Sequence, residues 1–417
     1  MKKIKIEGGK TLTGTIKISG AKNSAVALVP AALLCDEDVI IDNIPDISDI
    51  KDLNEILVHL GAEVERNGSI MKINPKTVVN KEIPEEISSK LRASYYFMSA
   101  LLGKYKYVEM HFPGGCSIGA RPIDQTLKGF KALGAEVKVD GTKYTVSAKE
   151  LVGGHVYLDM PSVGATVNTM LVAVRAKGTT IIENAAKEPE IVNVASFLNN
   201  MGARIVGAGT SEIKIEGVDH LSHAFCEVIP DRIEAGTYVI AGALTGKDLI
   251  VDQIIPEHIE MLILKLKEMG VPIEVGVDYV KVSASDNLKA VNVRTLGYPG
   301  FATDLQQPLT ALLTQCSGVS ELEETIYENR FKNVPYLNEM GANIKIDERK
   351  IYVTGPSKLV GKNVTATDLR AGACLVLAGL KASGVTEIEN IEFILRGYEN
   401  IVEKLTAAGA KIELIEI

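Results

Sequence analysis

Leu53, Ile56, Leu57 and Leu60 fall at i, i+3, i+4 and i+7, and Val194, Phe197, Leu198 and Met201 repeat that spacing. Each set is the apolar stripe of an amphipathic helix. Both stripes end in an apolar residue followed by glycine, and the ending recurs six times: Leu60-Gly61-Ala62, Leu133-Gly134-Ala135, Met201-Gly202-Ala203, Met269-Gly270-Val271, Met340-Gly341-Ala342 and Ala408-Gly409-Ala410. Successive glycines lie 73, 68, 68, 71 and 68 residues apart, which chance does not sustain along a chain. A glycine there predicts a left-handed residue closing each helix. The residues after it alternate as strands do. In Val64-Glu65-Arg66-Asn67-Gly68-Ser69-Ile70 and Val137-Lys138-Val139-Asp140-Gly141, the Asn-Gly and Asp-Gly pairs predict two-residue hairpin turns.

A second phrase precedes each amphipathic helix. It is a strand ending near Asn, as in Val39-Ile40-Ile41-Asp42-Asn43, Thr180-Ile181-Ile182-Glu183-Asn184 and Thr386-Glu387-Ile388-Glu389-Asn390. Before it lies an Ala-rich helical stretch, as at 25–34 and 371–380. Each unit therefore reads strand, helix, strand, helix, hairpin (βαβαββ). Units of about 70 residues exceed the usual solenoid repeat of roughly 20–45. Six of them group as three plus three into two α/β domains, with one long array as the alternative. No Pro-, Gly- or Ser-rich linker marks a boundary. The N-terminal Met1-Lys2-Lys3-Ile4-Lys5-Ile6 alternates like a half-exposed strand and lacks the apolar centre of a signal peptide.

At 417 residues the chain has room for two or three domains of about 150 residues. A net charge of −8, no Trp and 5% aromatic residues argue against a nucleic-acid binder or a stacking platform. None of the apolar runs approaches the roughly 18 residues of a membrane span. The five cysteines (Cys35, Cys116, Cys226, Cys316, Cys374) are odd in number, widely spaced and free of any CxxC, which predicts a reducing cytoplasm.

Common motifs fail. Gly9-Lys10-Thr11 ends like a phosphate-binding loop, but Ile4 holds the position of its first glycine. His220 and His223 have no zinc-site pattern around them and read as surface residues. In Pro113-Gly114-Gly115-Cys116-Ser117-Ile118-Gly119-Ala120-Arg121-Pro122, three glycines surround one thiol. Such a loop lets backbone approach a ligand, and Arg121 can favour the thiolate; a glycine-rich turn with a small buried Cys is the plainer alternative. The other four cysteines read as core. Lys22, Arg92 and Arg370 each stand where a strand gives way to an apolar helix, an address that already attracts anions. Arg330 and Arg396 extend this set. Asp304 precedes an apolar helix and, taken alone, reads as a cap.

Together these residues resemble one family, the UDP-N-acetylglucosamine 1-carboxyvinyltransferases, enolpyruvyl transferases of bacterial cell-wall synthesis. The resemblance spans nearly the whole chain. It rests on Ser19-Gly20-Ala21-Lys22-Asn23, Pro113-Gly114-Gly115-Cys116, Gly119-Ala120-Arg121-Pro122, Ser162-Val163-Gly164-Ala165-Thr166, Glu183-Asn184-Ala185-Ala186, Thr303-Asp304, Glu328-Asn329-Arg330-Phe331 and Ala366-Thr367-Asp368-Leu369-Arg370. It implies two similar domains, 22–229 and 1–21 plus 230–417, like inverse α/β barrels, with the active site in the cleft between them. The implied reaction joins phosphoenolpyruvate to the 3′-hydroxyl of UDP-N-acetylglucosamine and releases phosphate, without metal or cofactor, in a cytoplasmic monomer that needs no nucleic acid or membrane.

The same resemblance assigns roles. Cys116 is the acid that protonates the methylene carbon and can add covalently to the substrate; Asp304 accepts the sugar hydroxyl's proton. Lys22, Arg121 and Arg396, with Arg92, Arg330 and Arg370 nearby, neutralise phosphoenolpyruvate, and Asn23 orients reacting groups. Arg121, Pro122, Ile123, Asp124 and Gln125, the turn Ser162-Val163-Gly164, and Ile326 contact the nucleotide sugar. Two positions depart from the family pattern: Thr126 and Leu395 stand where a His and an Asp are usual, which touches the uracil contacts and the setting of Arg396. The alternatives are a shikimate 3-phosphate enolpyruvyl transferase and a catalytically silent binding protein of the same fold.

Overall fold

The computed structural model describes residues 2–114 and 123–416. Helices Lys22–Ala31, Tyr95–Tyr105, Val163–Ala173, Arg232–Thr245, Thr303–Leu313 and Leu369–Lys381 are apolar nearly all round. A helix with no polar face must be enclosed on every side. Residues 24–31, 96–103, 165–173, 233–244, 305–313 and 369–380 are accordingly buried.

In three repeats the inner helix joins a short edge strand to the central strand it pairs with in parallel, as His155–Tyr157 and Thr179–Glu183 are joined by Val163–Ala173. An outer amphipathic helix follows, then a hairpin whose second strand pairs antiparallel with the central one. The result is six separate sheets, one per repeat. None closes into a barrel, so the barrel likeness stops short of closure. In the second repeat the edge strand shrinks to a single bridge between Ile83 and Met110. The repeat glycines Gly61, Gly134, Gly202, Gly270, Gly341 and Gly409 all have φ between 87° and 106°, the conformation their position requires. Asn43, Asn184 and Asn390 share a φ of 55–56°. The predicted hairpins form one residue later than expected. Asn67 pairs with Ile70 and Asp140 with Lys143, so the turn residues are Gly68-Ser69 and Gly141-Thr142.

The described residues divide into two compact units, 2–19 with 230–416 and 20–114 with 123–229. Each has its own core, and in each the three inner helices pack together at the centre. Cys35 and Cys226 lie in one core and Cys316 and Cys374 in the other. His220 and His223 are exposed beside Asp36 and Asp38. No helix among the described residues is long and apolar enough to cross a membrane.

Two strand exchanges complete the sheets. Thr15–Lys17 leads into helix Lys22–Ala31 but pairs with Leu249–Asp252; Ala224–Glu227 leads into helix Arg232–Thr245 but pairs with Val39–Asp42. Strand Lys2–Glu7, with Ile4 and Ile6 fully buried, pairs with both Val385–Glu389 and Lys411–Glu416 and supplies the strand that the last repeat lacks. At the first crossing between units, a Cβ on Gly20 would lie 1.8 Å from the Asn43 carbonyl oxygen, so only glycine fits. Ser19 is tied down by Glu234, whose Oε2 accepts from the Ser19 N–H at 2.8 Å, and by Lys404, whose Nζ reaches Ser19 Oγ at 2.6 Å and Glu234 Oε1 at 2.7 Å.

Glu234 is 2% exposed. Burial pushes its carboxyl up to about 7, although Lys404 opposes the rise. The folded state therefore binds a proton that the unfolded state has released above about 4.5. Stability contributed by this group is present below that value and is lost as pH rises toward 7. Urea unfolding between pH 4.5 and 8 should show a loss of up to about 1.4 kcal/mol per pH unit in this window that Glu234→Gln removes. Parallel pH profiles for the two proteins would contradict it.

Candidate active site

The N-terminal ends of the inner helices carry most of their charged residues. In the unit 2–19 with 230–416, Asp231 caps its helix by accepting from the Ile233 and Glu234 N–H groups, and Asp368 likewise caps from Arg370 and Ala371. The third helix starts differently. Asp304 is its second residue, Ala302 precedes the helix, and no side chain caps it. The Asp304 carboxylate is instead held between two guanidiniums: Arg330 Nη2 lies 2.6 Å from Oδ1 and Arg370 Nη2 3.1 Å from Oδ2. The cap reading of Asp304 gives way to a carboxylate clasp.

The clasp is assembled from three places in the chain. Asp304 and Arg370 come from adjacent inner-helix ends, and Arg330 from the segment after strand Gly318–Glu323. Arg330 stacks on Tyr327 at 5.1 Å and Arg370 on Tyr398 at 5.4 Å. Both guanidiniums are nearly enclosed, with side chains 4% and 3% exposed, while Asp304 keeps 23%. Burial works against their charge, but Asp304 together with Tyr327 and Glu324 at Arg330, and with Tyr398 and Asp231 at Arg370, outweighs it, and both hold their protons above the ordinary arginine value. Charge-assisted bonds of this kind are about twice as strong as neutral ones. Among the described residues, Arg330 Nε and Arg370 Nη1 are buried without a hydrogen-bond partner. A carboxylate on two fixed cations is held ionised and in place, with its exposed edge open to accept a hydrogen bond from a hydroxyl.

Arg396 is half-buried and follows the short helix Glu392–Leu395. Ile326 is 40% exposed on the turn before Arg330. Two residues missed in the sequence lie here as well. Arg232 is the first residue of its helix, the same address as Lys22, and stacks on Tyr298 at 5.7 Å. With Glu257, His258 and Ala302 they line a shallow depression next in sequence to Thr303-Asp304. Comparing all six helix starts would have found Arg232.

The other predicted residues that fall among the described ones belong to the unit 20–114 with 123–229. Lys22 opens its helix, followed by Asn23, and its Nζ lies 3.0 Å from Asp49, a buried residue the sequence did not single out. Arg92 sits 5.5 Å over both Tyr95 and Phe112. Ser162 caps helix Val163–Ala173, its Oγ accepting from the Ala165 N–H at 3.2 Å. Ile123 is buried, Asp124 is exposed, and Gln125 binds Asp124 and Asp159. Thr126, one of the two departures, is 3% exposed. Cys116, Arg121 and Pro122 lie outside the described residues.

A family model described as EPSP synthase (3-phosphoshikimate 1-carboxyvinyltransferase) matches residues 6–405. The chain belongs to the EPSP synthase family. Within it, proteins named UDP-N-acetylglucosamine 1-carboxyvinyltransferase 2 from Geobacillus kaustophilus (strain HTA426) and Bacillus subtilis (strain 168) are 55% and 52% identical. The alignments cover 99% of this chain and 96% of each relative. The enolpyruvyl transferase NikO from Streptomyces tendae superposes with a TM-score of 0.91 at 26% identity, covering 99% of this chain and 98% of that one. EPSP synthase from Acinetobacter baumannii gives 0.77 at 17% identity over both whole chains, a likeness of fold.

The helix ends in this EPSP synthase family member are close-fitted. A Cβ on Gly164 would lie 1.7 Å from Tyr95 Oη and 2.9 Å from its Cζ. Gly164→Ala should therefore displace the ring on which Arg92 rests and cost about 1–3 kcal/mol in urea unfolding. Tyr95→Phe in the same chain should recover part of that loss. Equal losses with and without the hydroxyl would place the strain elsewhere.

Proposed function

We propose that this protein transfers the enolpyruvyl group of phosphoenolpyruvate to the 3′-hydroxyl of UDP-N-acetylglucosamine and releases phosphate, in the committed step of peptidoglycan precursor synthesis. The observation that carries this reading is identity above 50% over nearly full length to relatives named for that reaction, against 17% to an EPSP synthase structure. The clasped carboxylate of Asp304 supplies the chemistry it needs.

The residues that the family likeness singles out serve the one reaction. Lys22, Arg121 and Arg396, with Arg92, Arg330 and Arg370, counter the phosphate and carboxylate charges of phosphoenolpyruvate, and electrostatic stabilisation by fixed groups is usually the largest catalytic contribution. Asn23 orients the reacting groups. Cys116 gives a proton to the methylene carbon as the sugar oxygen bonds to the adjacent carbon. Asp304 takes the hydroxyl's proton. The tetrahedral adduct then loses phosphate while the methyl carbon gives up a proton, and the double bond re-forms as an enol ether. Residues 121–125, Ser162, Val163, Gly164 and Ile326 hold the nucleotide sugar. The protein works as a cytoplasmic monomer without cofactor.

Phosphate release measured with phosphoenolpyruvate and each acceptor separately should occur with UDP-N-acetylglucosamine. Release with shikimate 3-phosphate alone would overturn the assignment in favour of the shikimate reaction, and binding without turnover would favour a silent binding protein. Cys116→Ser should lose most activity while Cys116→Asp retains part, because a carboxylic acid still donates a proton. Equal inactivity of the two would remove Cys116 from the acid role.

A further inference from the structure

Five repeats share one backbone link: the residue after the edge strand donates its N–H to the last residue of the central strand. The pairs are Ile18 to Asp252, Val228 to Asp42, Leu158 to Glu183, Thr295 to Glu323 and Ala366 to Glu389, at 2.9–3.1 Å. This link aligns the repeats residue by residue. The position after the central strand is then Gln253, Asn43, Asn184, Glu324 and Asn390. Four are amides with positive φ, and Glu324 is absent from that class. Asn43 and Asn184 donate their side-chain N–H to the Val228 and Leu158 carbonyls, both at 2.8 Å. In the fifth repeat the polarity is reversed. An acceptor, Glu324, replaces the amide donor, and Thr295 replaces an apolar residue.

Glu324 is 0% exposed, and a charge so enclosed is costly unless fully bonded. Its Oε1 accepts from Thr295 Oγ1 at 3.0 Å and from the Ile326 and Tyr327 N–H groups at 2.8 and 3.2 Å. Its Oε2 accepts from Thr303 Oγ1 at 2.8 Å. The Thr303 proton is therefore committed to Glu324, which leaves the hydroxyl oxygen to accept from Arg330 Nη1 at 2.7 Å. The other Arg330 nitrogen holds Asp304.

We propose that Glu324 is a positioning residue. By fixing the direction of the Thr303 hydroxyl it sets Arg330, and through Arg330 the carboxylate of Asp304. The inference rests on the proposed role of Asp304 for its effect on turnover, but not for its effect on Arg330.

Glu324→Gln isolates this arm. The amide keeps an oxygen for the Ile326 and Tyr327 N–H groups but turns a donor toward Thr303, whose oxygen then faces two donors. In the Gln variant kcat should fall at least about tenfold, more than KM for phosphoenolpyruvate rises, with amide exchange at Ile326 and Tyr327 within about threefold of the parent. Thr303→Val should reproduce the fall, Thr303→Ser should restore most of it, and the double variant should be no worse than the worse single one. By 15N NMR, the two Nη groups of Arg330 should rotate slowly in the parent and faster in the Gln variant. Unchanged kcat and unchanged Arg330 rotation, or effects of the two sites that multiply, would overturn the proposal. A parent inactive with every acceptor would instead remove the proposed function, and the Arg330 signals would then decide the positioning role alone.

Discussion

A helix apolar on every side can show polar chemistry only at its ends. That constraint, met by six inner helices, governs the rest of the molecule. Their lengths are enclosed, so the unsatisfied N–H groups and partial positive charge of each first turn are the natural place for a ligand. The chain fills these addresses with different residues: Lys22, Arg232 and Arg370 as cations, Ser162, Asp231 and Asp368 as caps, and Asp304 as a carboxylate. One architecture repeated along the chain thus presents different chemistry at different helix starts.

The clasp around Asp304 has a definite electrostatic logic. Two guanidiniums buried side by side would repel and would forfeit hydration. A shared carboxylate offsets both effects and keeps them charged. The same contact fixes the carboxylate without a helix cap. Arg330 and Arg370 are therefore partly committed to holding Asp304, as Lys22 is to Asp49 at the start of another helix.

Much of this was legible in the sequence. The six glycines were readable because positive φ penalises every other residue, and the apolar stripes because burial demands a period. Asp304, Arg330 and Arg370 stood out by position, but not their mutual contact, since the sequence read the arginines as substrate ligands and Asp304 as either a cap or a base. The strand exchanges were hidden because Thr15–Lys17 and Ala224–Glu227 alternate alike, and nothing local says which central strand each will join. Glu324 and Arg232 escaped because their meaning appears only when repeats are compared position by position.

The strand Lys2–Glu7 leaves the ribosome long before its two neighbours, Val385–Glu389 and Lys411–Glu416. Throughout synthesis two fully apolar isoleucines wait without a sheet. The unit 20–114 with 123–229 has all its described strands before residue 228, so it can condense while its companion is still open. Such long-range closure slows folding and prolongs the exposure of an unpaired edge.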